Sequence, residues 1–201
     1  MTKEACPSDI DKFAKRHSGQ DVVVCGLGQS IVSLMPFIAE KITIGVNDIG
    51  RHLTPNYLVL QDYPSAFLPG RLEIIQKTKA SCAFTSLDFP NLQARKSIKI
   101  ELADRDGNGF GRNGKFSYSG TSVYLSTCLA AFLGATRIAL AGVDFSGPSR
   151  QYDQSFVDRT NRSFEVLCIS LLREGRQLLN LSKSSRIITV PHMDPVDFFC
   201  V

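Results

Sequence analysis

A run of apolar residues that ends in two glycines limits the fold of this chain more than any other feature. The run spans 21–28 and reads DVVVCGLG, and an apolar stretch from Ser30 to Ile38 follows it. β-Branched residues favour a strand, glycines permit a tight turn, and the apolar stretch has the periodicity of a helix. The segment therefore predicts a strand, a turn and a helix, which together begin a βαβ unit.

The same alternation continues along the chain. Further strands are predicted over 41–48, 56–62, 81–86, 96–102, 137–145 and 186–190. Helices are predicted over 68–78, over 123–133 with a stop at Gly134, and over a long segment that ends near Asn180. Strands that alternate with helices indicate right-handed crossovers. We therefore expect an α/β fold: one Rossmann-like domain over 1–201, with a mostly parallel sheet flanked by helices on both faces.

Two segments lack the apolar residues that a buried strand or helix needs. The first, 103–120, is rich in glycine, and we expect it to be a long loop near the strand ends. The second, 146–160, is short and polar, and we expect it to form a lid-like connection. Ligands of parallel α/β sheets bind beyond the carboxyl ends of the strands, so function is expected there.

Composition and charge argue against several classes of protein. The net charge is +4, but the basic residues are scattered and form no run that would follow a nucleic-acid backbone. No apolar segment has the length of a membrane span, and the first residues lack the pattern of a signal peptide. We expect a cytoplasmic protein without a nucleic-acid partner, and the sequence leaves an oligomer open.

The six cysteines indicate neither a metal site nor a disulfide framework. They stand at positions 6, 25, 82, 128, 168 and 200, without the short spacings that bind zinc. We expect free thiols that behave as small apolar side chains.

The glycine turn is the first candidate binding site. Gly26 and Gly28 let backbone approach a ligand closely, and Ser30 adds a hydroxyl where a helix begins, which suits a phosphate. The turn lacks the third glycine of the dinucleotide-binding motif and is not a Walker loop. A tight turn without a ligand is the alternative.

Two further strands end in an amide followed by a carboxylate. Asn47 and Asp48 follow the second strand, and Gln61 and Asp62 follow the third. The amides suit a base or a ribose. The carboxylates suit magnesium carried with a nucleotide, and capping of the next helix is the equal alternative.

A second candidate anion site precedes the helix over 123–133, where Thr121 and Ser122 follow a glycine. Asp144 ends a buried strand, is expected to face the crevice, and is a candidate catalytic residue. His52 and His192 follow strand ends and are the candidates for acid–base chemistry. For both histidines the alternative is a structural role, because no nucleophile or metal-ligand spacing surrounds them.

Four segments carry a resemblance to known proteins: GLGQS, IGVND, PNYLVLQD and GTSVYLSTCLAAFLGATRIALAGVDFSG. They resemble the bacterial sialyltransferase-like fold and the related family of proteins like archaeal hydroxymethyldihydropterin pyrophosphokinase, which has phage members. The resemblance covers most of 22–144. It implies a bound nucleotide, either a CMP-sugar donor or ATP with magnesium, and no tightly bound cofactor.

The resemblance also implies roles for single residues. The glycine turn would contact phosphate or ribose, and Asn47 would bind the nucleotide or the acceptor. Thr121 and Ser122 would hold the donor phosphate, and Asp144 would close the crevice.

The chain departs from the sialyltransferase pattern in two places. Those enzymes carry a histidine base in a lid, whereas 146–163 here, SGPSRQYDQSFVDRTNRS, has none. Tyr152 and Asp153 are the substitutes within this segment. The family's Gly-Asn-Gly-Pro-Ser turn is Gly-Leu-Gly-Gln-Ser here, which removes an amide side chain.

These observations support three hypotheses. The first is a nucleotide-dependent transferase of the glycosyltransferase type with a sugar-nucleotide donor. The second is a pyrophosphokinase-like enzyme that uses ATP and magnesium. The third is a protein without catalytic activity, either a module that binds a nucleotide or, less well supported, a purely structural one.

Overall fold

The computed structural model describes residues 9–111, 114–146 and 152–199. Its strands are β1 (Asp21–Cys25), β2 (Ile42–Val46), β3 (Tyr57–Leu60), β4 (Cys82–Thr85), β5 (Ser97–Lys99), β6 (Glu101–Asp104), β7 (Lys115–Ser117), β8 (Arg137–Ala141) and β9 (Gln177–Asn180). Its α-helices are α1 (Ile31–Ile38), α2 (Pro69–Lys77), α3 (Ser122–Phe132), α4 (Gln154–Arg173) and α5 (Pro195–Phe199). Short 3-10 turns span Asp11–Phe13, Ile49–Arg51 and Pro64–Ala66.

Seven strands form one parallel sheet in the order β5-β4-β3-β2-β1-β8-β9. The chain builds the sheet outward from β1 to β5 and then returns to place β8 against the free edge of β1. The strand order therefore reverses between β1 and β8, and this switch point is where parallel α/β sheets form a ligand crevice. The predicted Rossmann-like, mostly parallel sheet is confirmed.

Helices cover both faces of the sheet because its strands are apolar on both sides. In β1, Val22 and Val24 contact the core beneath α3 and α4, while Val23 and Cys25 contact the core beneath α1, α2 and α5. All four side chains are fully buried. No helix in the described part of the chain has the length and apolar character needed to cross a membrane.

The end of the chain differs from the prediction. The long helix stops at Arg173, and the last strand of the sheet is β9 rather than 186–190. Gly175 has φ +71 and follows the helix, as a glycine at a helix C-terminus commonly does, so the chain can turn into Gln177–Asn180. The segment 186–190 is irregular, and its Ile188 is 83% exposed.

The predicted loop over 103–120 is partly ordered as strand. β6 and β7 pair in a separate two-stranded parallel ladder, in which Leu102 lies opposite Phe116. Phe116 is buried and packs its ring edge-on against Phe132 at 5.4 Å. The predicted lid-like segment over 146–160 is helical from Gln154 onward, and its residues 147–151 lie outside the described residues.

Candidate functional site

A cleft of about 400 Å³ lies at the carboxyl edge of the sheet, at the switch point. The turn after β1, the ends of β2 and β8, and the starts of α3 and α4 line it. Seven predicted site residues are in its wall: Gly28, Asn47, Asp48, Asp62, Thr121, Ser122 and Asp144. Five others are not part of that lining: Gly26, Ser30, Gln61, His52 and His192. The cleft thus brings together most of the polar strand ends.

The glycine turn packs directly against the end of β8. A Cβ atom on Gly28 would lie 2.5 Å from the carboxylate carbon of Asp144, and a Cβ on Gly26 would collide with the carbonyl oxygen of Gly142. The glycines therefore allow two backbone segments to approach each other. Ligand contact through Gly26, Gly28 and Ser30 stays a prediction.

Asp144 is bound to the residue that precedes α1. Its carboxylate accepts hydrogen bonds from the Ser30 amide (2.9 Å) and the Ser30 hydroxyl (2.5 Å) and is 2% exposed. The Ser30 hydroxyl also lies 2.7 Å from that of Ser182. The first amides of α1, Ile31 and Val32, donate to carbonyls of the turn. A carboxylate therefore already occupies the positive end of α1, which disfavours a second anion there.

No carboxylate of the described residues occupies the start of α3, although its first residues are buried. The Thr121 side chain caps the helix by accepting from the Tyr124 amide at 3.2 Å. Among the described residues, the amides of Ser122 and Val123 and the Ser122 hydroxyl have no protein partner. Both residues line the cleft. Unpaired amides at a helix N-terminus bind anions, so this end of the cleft can hold a phosphate.

The amides after β2 and β3 keep unused acceptors. Asn47 donates to Asp62 at 3.2 Å, and Gln61 donates to Ser86 at 2.6 Å. The carbonyl oxygens of both amides are buried and have no partner in the part of the chain that the structure describes. Asn47 adopts φ +48, a conformation that asparagine tolerates better than most residues. Asn47 lines the cleft and Gln61 does not, so Asn47 is the one of the two that a ligand in the cleft can reach.

Asp48 is buried and paired with two arginines. Arg51 binds one carboxylate oxygen, and Arg71 donates to the other from Nε (3.1 Å) and Nη2 (2.6 Å). The described residues contain no group of three or more histidine, cysteine, aspartate or glutamate side chains that could hold a metal. Asp48 therefore fits a magnesium ligand poorly, whereas Asp62 is exposed. Metal binding by either stays a prediction.

The two candidate histidines lie apart from the cleft wall. His52 is half-buried, and burial first and the neighbouring Arg51 second lower its pKa below the usual value. His192 is exposed and forms an isolated bridge with Asn180. Of the described residues that line the cleft, none is a histidine. The acid–base roles of these histidines remain predictions.

Asp153 caps α4 instead of facing a substrate. Its carboxylate accepts from the Ser155 hydroxyl and the Phe156 amide, each at 2.7 Å, and these bonds lower its pKa. An acid with a lowered pKa is a weak base at neutral pH.

An aromatic cluster that the sequence reasoning missed forms one rim of the cleft. The Phe145 ring meets that of Tyr152 at 5.1 Å, and Tyr152 stacks on Phe156 at 5.2 Å. All three line the cleft. Tyr152 precedes the N-cap of α4 and Phe156 lies in its first turn, so the available signal was the closeness of two aromatic residues in the chain.

Arginines 51 and 71 were missed as well. Arg51 follows a predicted strand end by three residues and Arg71 falls within the predicted helix 68–78, but only the fold shows that both reach the same carboxylate. Arg51 stands three residues after Asp48, which was the available signal.

No family model and no curated protein matches the sequence. Among solved structures, the chain is similar to the Maf glycosyltransferase from Magnetospirillum magneticum AMB-1, with TM-score 0.61 and 15% identity over 92% of this chain. It spans 37% of that protein's length.

The chain is also similar to the sialyltransferase CstII from Campylobacter jejuni in complex with cytidine-5'-monophosphate. The TM-score is 0.55, with 12% identity, over 89% of this chain and 87% of that one. Identities this low show a common fold and no more. The chain therefore has the α/β fold that these glycosyltransferases have.

Proposed function

We propose that this protein is a nucleotide-dependent transferase of the glycosyltransferase type that binds a sugar-nucleotide donor in the strand-end cleft. One observation carries the proposal: the unpaired amides of Ser122 and Val123 open into a cleft at the switch point of a parallel sheet. Parallel α/β sheets bind nucleotides at that position, and helix N-termini bind their phosphates. The likeness to the fold of two glycosyltransferases, one of them in complex with CMP, is consistent with it.

In this proposal each wall of the cleft has a separate task. The start of α3 binds the donor phosphate, and the unpaired Oδ1 of Asn47 accepts from a hydrogen-bond donor of the nucleoside. Asp144 holds the glycine turn in place through Ser30 and does not act as a base. Catalysis then rests on positioning and on stabilisation of charge at the leaving phosphate.

Binding of CMP to a Ser122→Asp variant tests the phosphate site. Aspartate in the first turn suits the helix dipole, but Ser122 is 7% exposed, so the melting temperature without CMP is measured first to show that the variant folds. Its charge repels phosphate, and the melting temperature should no longer rise with CMP as it does for wild type. Ser97→Asp adds the same charge on the exposed edge strand β5 and should leave the response intact. An unchanged CMP response in Ser122→Asp would contradict the phosphate site.

A second candidate is a nucleotide-binding module without catalysis. Two observations favour it: the described cleft wall contains no histidine, and Asp144 is fully engaged with Ser30. Release of CMP from a CMP-sugar above the rate without protein separates the candidates. Release supports the transferase, and tight binding without release supports the module.

The pyrophosphokinase-like alternative requires ATP and magnesium. Asp48 is committed to two arginines, which leaves Asp62 as the accessible carboxylate of this pair. A rise in melting temperature with ATP that needs magnesium, and that Asp62→Asn abolishes, would favour this alternative over glycosyl transfer.

A further inference from the structure

The wall of the cleft beyond β2 and β3 carries two arginines held by one carboxylate. Arg51 lies in the short turn after β2, and Arg71 lies in α2 after β3. Both line the cleft, and both bind the carboxylate of Asp48, which is 1% exposed. The turn after β2 and helix α2 therefore each place a guanidinium group in the same part of the cleft wall.

This cluster has more positive charge than the fold requires. One guanidinium is enough to neutralise one buried carboxylate, so the second leaves a net charge of +1 on the cluster. Of the other cleft carboxylates, Asp62 lies on the same wall and bonds to Asn47, and Asp144 bonds to Ser30; among the described residues neither forms an ion pair with Arg51 or Arg71. An anion that approaches the two arginines thus meets an uncompensated cation.

The guanidinium groups are fixed and still accessible. The side chains of Arg51 and Arg71 are 42% and 36% exposed although Asp48 is fully buried. Arg71 also lies over the Phe67 ring at 5.4 Å, which supports it from a second direction. A guanidinium has five N–H donors, and Asp48 takes only two of those of Arg71. The remaining donors can pair with an oxyanion without much loss of side-chain entropy.

We propose that Arg51 and Arg71 form a subsite for a second oxyanion of the ligand, separate from the phosphate site at the start of α3. The inference rests on the proposed function, because it concerns the same cleft. The oxyanion is either a second phosphate of the nucleotide or a carboxylate of the transferred sugar. A ligand with two anionic groups therefore binds better than one with a single group.

Calorimetric titration of CMP, CDP and glucuronate into wild type and Arg71→Gln tests the subsite. Arg51 still neutralises Asp48 in this variant, so the fold is expected to persist, and Arg51→Gln repeats the test with Arg71 in place. Lys77→Gln is the matched control, since it removes one positive charge from the same helix at an exposed pair with Glu73 outside the cleft.

Wild type is expected to bind CDP at least about tenfold more tightly than CMP, or to bind glucuronate. Arg71→Gln should bind CDP no more tightly than CMP and should not bind glucuronate, while its affinity for CMP stays within about twofold of the wild-type value. Lys77→Gln should bind all three ligands as wild type does. The CDP preference identifies a second phosphate, and glucuronate binding identifies a carboxylate.

The subsite is overturned if CMP binds and neither the CDP preference nor glucuronate binding depends on Arg71. If no nucleotide binds wild type, the proposed function fails, and glucuronate and inorganic phosphate alone decide on the subsite. In that case the subsite is upheld if glucuronate or inorganic phosphate binds to wild type and not to Arg71→Gln. It is overturned if neither ligand binds to wild type, or if both proteins bind the ligand equally well.

Discussion

Asp144 and Ser30 are 114 residues apart in the chain, and two hydrogen bonds join them across the carboxyl edge of the sheet. One bond runs from the amide of Ser30 and the other from its hydroxyl. The carboxylate thereby fastens the glycine turn after β1 to the end of β8, which are the two strands at the switch point. Asp144, which the sequence offers as a candidate catalytic residue, thus forms a structural link in the cleft wall, and a catalytic role for it stays a prediction.

Removal of this link should destabilise the fold. Asp144→Ala removes the acceptor of the Ser30 amide in a partly buried place and leaves Ser182 as the partner of the Ser30 hydroxyl, and we expect the free energy of unfolding to fall by about 2 kcal/mol. Urea denaturation measures the change. Asp88→Ala is the control, because Asp88 is fully exposed and, among the described residues, pairs with the exposed Lys99 alone, so its urea denaturation curve should match that of wild type closely. Equal stability of Asp144→Ala and wild type would show that the fold does not need the bonds between Asp144 and Ser30.

The glycines of the turn should not tolerate alanine. In Gly26→Ala the new Cβ meets the backbone oxygen of Gly142, which cannot rotate away, and we expect a loss of about 1–3 kcal/mol or more. Gly70→Ala provides the contrast, because nothing lies within 4 Å of its Cβ and alanine favours the helix α2. The melting temperature should fall for the first variant and stay level or rise for the second. A well-folded Gly26→Ala protein of normal stability would show that the close approach is dispensable.

His52 should make the protein less stable in mild acid. Its pKa in the folded state lies below the usual 6.5, mainly because of burial, so the unfolded chain binds the proton more readily. The free energy of unfolding therefore falls as the pH drops through about 6.5. His52→Gln should lose less stability than wild type between about pH 7.5 and pH 5.5. At about pH 7.5 the imidazole is neutral, so the difference in the free energy of unfolding between the two proteins there measures the effect of packing alone. If that difference stays the same down to about pH 5.5, His52 has no part in the loss of stability in acid.

The four described cysteines should resist alkylation in the native protein. Burial raises the pKa of Cys25 and Cys82 to about 12 and that of Cys168 to about 11, and it raises that of Cys128 well above normal. The reactive thiolate is therefore scarce at neutral pH. In a Cys6→Ser, Cys200→Ser variant, iodoacetamide should modify no thiol until denaturant is added. Rapid modification of any one thiol would locate a reactive cysteine that the fold does not explain.

The architecture was accessible from the sequence because it rests on local patterns. Runs such as Val22–Val24, bounded by glycines or polar residues, predict buried parallel strands, and their order along the chain predicts crossovers. The same patterns placed Asn47, Asp62, Thr121 and Asp144 at strand ends or at a helix start, and the cleft contains all four. The final strand was misplaced because the apolar run 186–190 satisfies the strand pattern, while Gln177–Asn180 was read as helix.

The sequence by itself determined which segments become buried strands, and hence that polar residues meet at one edge of a parallel sheet. It did not determine which of those polar groups remain available to a ligand. Asp144 is engaged by Ser30, and Asp48 by Arg71, through contacts that span 114 and 23 residues. Local propensity carries no information about such contacts, since they form only when the packed strands bring the side chains together. The tertiary structure therefore decided that a carboxylate engages the start of α1, whereas the first amides of α3 have no partner among the described residues.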